Sequence, residues 1–305
     1  MIREVQLRVE TDGVTVERFL RSRGLSRHLL TILKAVPDGM TVDGAHVRTV
    51  DRLRAGDVLA LRVYEGAASG RIAPAALPLD IVYEDEDLFV INKPAGMAVH
   101  PSQGNREDTV ANALAQLYAG RAETFVFRAV GRLDKNTSGL LLLAKNALSG
   151  CLLDGQRETC REYLTVCAGK LPEAGTIDAP IGRVPGSALL REVRSDGKRA
   201  VTHYVRLCCR NGYSLARVRL ETGRTHQIRV HFAHIGHPLP GDFLYAPGLP
   251  GTGRHALHAW SLSFRQPVTG EPLRFRAPLP DDLAALLSLR PENTAASFGY
   301  PPHAR

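Results

Sequence analysis

The segment 131–139 holds the residues of this sequence whose types and spacing best suit chemistry. Glycines at both ends frame one carboxylate, two cations and two hydroxyl groups: Arg132, Asp134, Lys135, Thr137 and Ser138. Such a polar run framed by glycines is typical of a loop. A loop carboxylate can act as a nucleophile or a base. An aspartate ahead of Thr-Ser-Gly is, however, more often a turn or cap residue that accepts nearby backbone N–H groups.

The four leucines at 140–143 follow this segment directly. Because they cannot all face water, they predict a strand that is covered on both faces. Asp134 would then lie at the mouth of a packed core.

Two further blocks combine polar residues with chain breakers. In Asn92-Lys93-Pro94-Ala95-Gly96, the proline lacks an N–H group and biases Lys93 toward an extended conformation, so the preceding strand should end here. In Gly223-Arg224-Thr225-His226-Gln227-Ile228-Arg229-Val230-His231, Thr225 can cap a helix that runs to about Ile235 and stops at Gly236. Arg224 would then lie at the positive end of the helix.

Four histidines in and after this helix, at 226, 231, 234 and 237, raise the alternative of a metallohydrolase. No cysteine or acidic residue completes a ligand set within the segment, so we expect no metal. The five cysteines form no C-x-x-C pair, which argues against a zinc knuckle and a disulfide framework.

The composition is that of a globular protein with a basic surface. The chain has 305 residues, 44% of them hydrophobic, and a net charge of +8. No window approaches the roughly 18 apolar residues of a membrane span, and the N-terminus lacks the apolar run of a signal peptide. We therefore expect a cytoplasmic monomer with no membrane association.

The positive charge is concentrated between Arg183 and Arg219, where nine Lys or Arg residues face two acidic residues. Asn211-Gly212 predicts a hairpin turn between strands at 200–210 and 213–220, which places Arg217 and Arg219 on one face. Such a patch suits a polyphosphate ligand, although a solvated basic face kept for solubility remains the alternative.

Other segments show clear periodicity. Helices are predicted at Val14–Leu20, Ser26–Ala35, Thr109–Ala119 and Ala147–Arg157, and strands at 81–83, 88–91, Glu162–Cys167 and Leu257–Phe264. The cations on the first two helices, which include Arg23 and Arg27, have no acid between them and would form an exposed edge. Tyr163 fits either face of its strand.

The three blocks together, Asn92–Gly96, Arg-Leu-Asp-x-x-Thr-Ser-Gly-Leu-Leu-Leu and Gly-Arg-Thr-His-Gln, resemble the RluA-type RNA pseudouridine synthases in content and order. The resemblance covers about Leu77 to Pro280. One position departs from the family's pattern, because Gly131 stands where the RluA type usually has histidine. The N-terminal segment resembles a small RNA-binding module of a ribosomal small-subunit protein.

The resemblance implies an isomerase that turns a uridine over and rejoins it through carbon, with no cofactor. It implies that Asp134 is the catalytic carboxylate, that Arg224 pairs with it, and that Tyr163 lies against the target base. Arg132 would fill the position that the flipped base leaves. The other residues expected to bind RNA are Lys93, His100, His226, Gln227, Arg217, Arg219, Arg23 and Arg27. Ribosomal RNA of the large subunit is the favoured substrate, with transfer RNA as an alternative; a non-catalytic RNA-binding or ribosome-assembly factor is the rival function.

The expected fold class is α+β. A catalytic domain at 78–290, built on a mixed, largely antiparallel sheet with flanking helices, follows a small helix-helix-β RNA-binding module at 1–65 and a linker at 66–77. Residues 291–305 are expected to form a loose tail.

Overall fold

The structure is a computed structural model that describes residues 2–65, 72–102, 104–121, 123, 125–156 and 158–289. The expected tail at 291–305, residues 66–71 of the expected linker and Arg157 of the expected helix lie outside these residues.

The N-terminal segment forms a small unit of two helices and a sheet. Its elements are β1 (Ile2–Arg8), α1 (Val16–Ser22), α2 (Arg27–Lys34), β2 (Met40–Val42), β3 (Ala45–His46) and β4 (Val58–Tyr64). Both predicted helices are present, and the hydroxyl oxygens of Thr15 and Ser26 cap them. The strands lie in the order β1-β4-β2-β3. Strand β1 was not predicted, because its partner β4 lies more than fifty residues further along the chain.

The rest of the described chain is organised on one large sheet. Its elements are β5 (Asp80–Glu84), β6 (Leu88–Lys93), α3 (Val110–Gly120), β7 (Ala129–Val130), β8 (Ser138–Ala144), α4 (Ala147–Gly155), β9 (Cys160–Ala168), β10 (Ala174–Asp178), β11 (Ile181–Arg183), β12 (Arg191–Val193), β13 (Val201–Arg210), β14 (Tyr213–Leu220), α5 (Gln227–His234), β15 (Leu257–Arg265), β16 (Pro272–Arg276) and α6 (Asp281–Leu286). The main order is β10-β13-β14-β9-β15-β8-β6-β5, with β16 beside β15 and β7 beside β8. Its strands are antiparallel except for the β8–β15 pair, so the predicted α+β class is confirmed. None of the described helices is both long and apolar enough to cross a membrane.

Strand β8 lies between β15 and β6 in the interior of this sheet and is buried at every residue, as the run of leucines predicts. It lies parallel to β15 through Ser138 and Gly139. Gly139 has a φ of +108°, and a Cβ there would come within 2.2 Å of the carbonyl oxygen of Ala259. Only glycine therefore allows β15 to approach the strand that follows the Asp134 loop.

Buried charges join the N-terminal unit to the large sheet. Arg3 donates two hydrogen bonds to Asp87, of 2.9 and 2.8 Å, and Asp87 is 1% exposed. Glu65, at the end of β4, accepts from Arg128 and from the backbone N–H of Ala147 at 2.7 Å each. These polar contacts hold the unit against the N-terminal end of α4.

Candidate active site

A cavity of about 560 Å³ opens beside the Asp134 loop, between β9, the end of β14 and the start of α5. Its volume lies within the range of ordinary small-molecule sites. The structure brings the following sequence-predicted residues to its lining: Arg132, Asp134, Tyr163, Arg224, His226 and Gln227.

The Asp134 loop is held by contacts from two distant segments. The ammonium of Lys93 and the backbone N–H of Gly96 both donate to the carbonyl oxygen of Lys135, at 2.9 and 3.0 Å. The hydroxyl of Thr137 lies 2.8 Å from Nε2 of His255. These contacts leave the loop little freedom, so the position of the carboxylate is set by the packed core below it.

Asp134 is paired with Arg229 and not with Arg224. Nη1 of Arg229 donates to Oδ2 of Asp134 at 3.1 Å, and Nε2 of His226 lies 3.8 Å from the same oxygen. The carboxylate is 25% exposed, while the guanidinium of Arg229 is 3% exposed. The site thus combines an accessible acid with a buried cation, and Oδ1 has no protein partner among the described residues.

The expected Arg224–Asp134 pair is therefore wrong, for a reason that lies in the start of α5. The helix begins at Gln227 with His226 as N-cap in the left-handed conformation, at φ 58°, and Thr225 does not cap it. Arg224 precedes this turn, stays exposed at the rim, and donates from Nε to the carbonyl of Arg199 at 3.0 Å. Arg229 lies in the first turn of the helix, where its side chain points inward.

Gln227 is a structural residue, which corrects its expected role in RNA binding. It is 2% exposed. Its Nε2 donates to the carbonyl of Val201 at 3.0 Å, and its Oε1 accepts from the backbone N–H of Arg224 at 2.9 Å. The amide nitrogen thus attaches the start of α5 to β13, and the amide oxygen holds the loop that precedes the helix.

Lys93 is likewise not available to RNA, because it is fully buried. Its ammonium donates to the carbonyls of Pro94, Met97 and Lys135 at 2.8, 2.7 and 2.9 Å. Burial, reinforced by the nearby charge of Arg254, lowers the pKa of Lys93 to about 7. The three carbonyl acceptors oppose this shift, since they match the three N–H groups of the charged form.

Tyr163 lies in β9 on the wall of the cavity and is 8% exposed. Burial raises the pKa of its phenol, and the charge of Arg161 opposes that shift. The phenol therefore keeps its proton at neutral pH. This protonation state suits a ring that packs against a base, and it disfavours the phenolate as a proton acceptor.

His226 contributes a neutral imidazole beside Asp134. Burial lowers its pKa below the ordinary value, while the Asp134 carboxylate acts in the opposite direction. Its Nδ1 lies 2.8 Å from the phenolic oxygen of Tyr245. The ring is thus fixed from the side remote from the acid.

Gly131 explains how this chain accommodates its departure from the family pattern. Its φ is +84°, and a Cβ would contact the guanidinium of Arg161 at 3.3 Å. Arg161 donates to the carbonyl of Val130 at 2.8 Å. The space beside Gly131 is therefore occupied by an arginine that also lines the cavity.

The remaining residues expected to bind RNA are exposed but lie outside the described cavity lining: His100, Arg217, Arg219, Arg23 and Arg27. Arg217 and Arg219 share one face of β14, as predicted, and the Asn211–Gly212 turn has positive φ at both residues. Nε of Arg217 lies 3.7 Å from the Glu162 carboxylate, which offsets part of its charge.

His231 in the helix and His237 after it have separate protein partners. His231 lies 2.8 Å from the hydroxyl of Thr202 and 2.9 Å from the carbonyl of Ala179, and His237 lies 2.8 Å from the carbonyl of Ala168. Within the described ranges, no group of three or more His, Cys, Asp or Glu residues is arranged to hold a metal ion.

Two residues of the site, Arg229 and Asp242, had no predicted role. Nε and Nη2 of Arg229 donate to the Asp242 carboxylate at 2.7 and 2.8 Å, and that carboxylate is 1% exposed. The available signal was the position of Arg229 three residues before the buried Phe232, on the same helix face. A cation on a core-facing stripe requires buried carboxylates.

Comparison with known proteins gives consistent matches. The sequence profile of the family described as RNA pseudouridylate synthase matches residues 87–234. An uncharacterised RNA pseudouridine synthase of Bacillus subtilis is 38% identical over 278 residues, covering 90% of this chain and 98% of that protein. The ribosomal large subunit pseudouridine synthase D of Xanthomonas campestris is 42% identical over 272 residues, covering 83% and 82%. The solved structure of human RNA pseudouridylate synthase domain containing 1 matches with a TM-score of 0.55 and 26% identity, over 70% of this chain and 89% of that one.

Proposed function

The chain belongs to the RNA pseudouridine synthase family, and we propose that it isomerises specific uridines in large-subunit ribosomal RNA with Asp134 as the catalytic carboxylate. The substrate proposal is supported by the Xanthomonas relative, which carries that activity in its name and aligns over 82% of its length. The Bacillus and Xanthomonas relatives are bacterial proteins, and bacterial ribosomal RNA is made in the cytoplasm, so we propose a cytoplasmic location for this enzyme.

The observation that carries the catalytic proposal is the Asp134 carboxylate, which is 25% exposed on the cavity and has Arg229 at 3.1 Å. The reaction breaks the bond between C1′ and N1 of uridine, rotates the base, joins C1′ to C5, and moves the C5 hydrogen to N1. No electrons are gained or lost overall. The protein must therefore supply a group that assists cleavage and holds a fragment in place, and a positioned carboxylate suits this task.

The other cavity residues have distinct parts in this proposal. The ring of Tyr163, whose phenol keeps its proton, packs against the uracil, and the uracil must leave the base stack to enter the cavity. Arg132, exposed beside the acid, fills the vacated place in the RNA. Arg224 at the rim binds a backbone phosphate, where its exposed guanidinium keeps its Nη groups for the substrate.

The test is pseudouridine formation by purified Asp134→Asn protein, followed as tritium released from RNA labelled at C5 of uridine. We expect no release above background from a large-subunit rRNA transcript, with RNA affinity retained. Asp154→Asn, the same change at an exposed position of α4, is the matched control and should behave as wild type. Wild-type yield from Asp134→Asn would refute the catalytic assignment. Modification of transfer RNA, but not rRNA, by the wild-type enzyme would refute the substrate assignment.

A further inference from the structure

A turn-rich segment after α5, residues 239–249, carries the buried side chain of Asp242 and the half-buried side chain of Tyr245, which both lie behind the site. Asp242 accepts from Nε and Nη2 of Arg229, at 2.7 and 2.8 Å, and the remaining Nη1 donates to Asp134. One guanidinium is thus shared between a buried carboxylate, which takes two of its donors, and the cavity carboxylate, which takes one.

Asp242 is itself held firmly. Its Oδ1 accepts from the backbone N–H groups of Leu244 and Tyr245 at 3.1 and 3.3 Å. Gly241 has a φ of +72°, and a Cβ there would lie 2.3 Å from the carbonyl oxygen of Arg254, so the turn is pressed against that backbone. Burial acts to raise the pKa of Asp242, but the hydrogen bonds and charge of Arg229 bring it below the ordinary value. The carboxylate therefore remains ionised in a fixed position.

Tyr245, on the same turn, orients the second group beside Asp134. Its oxygen accepts from the backbone N–H of Arg191 at 3.1 Å and lies 2.8 Å from Nδ1 of His226. Donation of the single phenolic proton to Nδ1 satisfies both atoms and leaves the imidazole proton on Nε2, the nitrogen that faces Asp134. Cζ of Arg229 also lies over the ring of Tyr245, 5.0 Å from the centroid of that ring.

This arrangement determines which oxygen of Asp134 remains available to the substrate. An arginine fork beside an aspartate ordinarily forms two parallel hydrogen bonds and occupies both carboxylate oxygens. Here Asp242 takes the Nε and Nη2 donors and fixes the orientation of the guanidinium, and in this orientation Arg229 gives Asp134 a single hydrogen bond, from Nη1 to Oδ2. Oδ1 is thereby kept for the substrate.

We propose that Asp242 and Tyr245 are positioning residues for the isomerisation: Asp242 prevents Arg229 from binding both oxygens of Asp134, and Tyr245 directs Nε2–H of His226 toward it. This inference rests on the proposed function. Neither residue touches the reacting atoms, because each acts through the residue that it holds.

The kinetic test uses Asp242→Asn, which keeps an oxygen for the two backbone N–H groups but places an NH₂ group opposite the Arg229 fork. A displacement of about 1 Å at a reacting group costs on the order of 100-fold, so we expect kcat to fall by about that factor with KM and RNA affinity unchanged. In an Arg229→Met background the same change should lower kcat no further, because the residue through which it acts is gone. Wild-type kcat, or losses that multiply in the double variant, would overturn the proposal.

Asp87→Asn is the matched control. Asp87 is equally buried and bound by two donors of Arg3, but it belongs to the contact with the N-terminal unit. It should lower stability and leave kcat unchanged. Should Asp242→Asn fail to fold, Tyr245→Phe keeps the ring and removes the phenol; a lower kcat at constant RNA affinity supports the positioning role, and an unchanged kcat contradicts it.

A crystal structure of Asp242→Asn separates this inference from the proposed function. We expect the Arg229 fork to turn and bind both oxygens of Asp134, which can be observed even if the wild-type protein modifies none of the RNAs tested. A fork that stays in its wild-type place would refute the positioning role while leaving the function intact.

Discussion

Replacing either of two arginines by methionine distinguishes the pairing seen in the structure from the one that the sequence suggested. Arg229→Met removes a guanidinium that is 3% exposed and donates three hydrogen bonds to carboxylates. Arg224→Met removes an exposed guanidinium whose one hydrogen bond to the described part of the chain goes from Nε to a backbone carbonyl. The two changes are chemically identical, so any difference between them reports on location.

The two substitutions should lower the free energy of unfolding by amounts that differ by several kcal/mol. Arg229→Met leaves the Asp242 carboxylate, 1% exposed, without its cation, and loss of one partner from a buried pair typically costs ~3 to 5 kcal/mol. The lower end applies here, because methionine fills the space and Asp242 keeps two backbone donors. Arg224→Met should change the unfolding free energy by no more than about 0.5 kcal/mol, as is usual at the surface. A stability of ~5 to 15 kcal/mol leaves both variants folded at low temperature.

Two measurements compare the Arg229→Met and Arg224→Met variants: urea unfolding, and single-turnover tritium release from C5-labelled RNA at saturating enzyme. We expect the rate constant of Arg229→Met to fall at least ~100-fold, since Asp134 loses the group that fixes and neutralises it. Arg224→Met should keep most of its single-turnover rate and lose RNA affinity instead. If Arg224→Met has the slower chemical step, the pairing in the structure is not the one that operates in catalysis.

Three further predictions concern RNA binding, pH and packing. Alanine at both Arg217 and Arg219 should weaken RNA binding and reduce the slope of log affinity against log salt by about 1 to 2, and an unchanged slope would place the RNA elsewhere. Burial lowers the pKa of His258 in the folded protein to about 4. In the unfolded chain this histidine has its ordinary pKa of about 6.5, so as the pH falls the unfolded chain binds the proton before the folded protein does. Stability should therefore decrease by about 3 kcal/mol between pH 6.5 and 4, and unfolding of His258→Gln should lack this part of the acid dependence. Gly139→Ala should cost more than ~2 kcal/mol in thermal or urea unfolding, because its Cβ meets a backbone oxygen of β15; Gly120→Ala, with nothing within 4 Å, should be neutral or stabilising.

Local signals were sufficient for much of the fold. The leucines of β8, the Asn211–Gly212 turn and the Ser26 cap each depend on residues near them in sequence, and the structure contains all three elements. Strand β1 was not predicted, because its alternation of buried and exposed residues becomes informative only when the strand is placed beside β4. Periodicity identifies which segments can be buried, and it does not identify the segment that covers them.

Some features of the site were likewise predicted correctly and others were not. The resemblance to the family implied that Asp134, Tyr163 and Arg224 share one site, and all three line the cavity. The ion pair was assigned to the wrong arginine, because the left-handed turn at His226 decides which side chain enters the core. Lys93 was expected to bind RNA on the basis of the resemblance to the family. Its burial depends on three carbonyls that only the folded loops bring together.

Three long-range contacts of the Asp134 loop also set when the enzyme can become active. The loop contacts partners that lie 42, 95 and 118 residues away in sequence, at Lys93, Arg229 and His255. Contacts so far apart form late in folding, and during synthesis the acid leaves the ribosome well before α5 exists. A nascent or truncated chain that ends before α5 therefore carries its acid without a counterion, and catalytic competence comes only with the final docking of the C-terminal third.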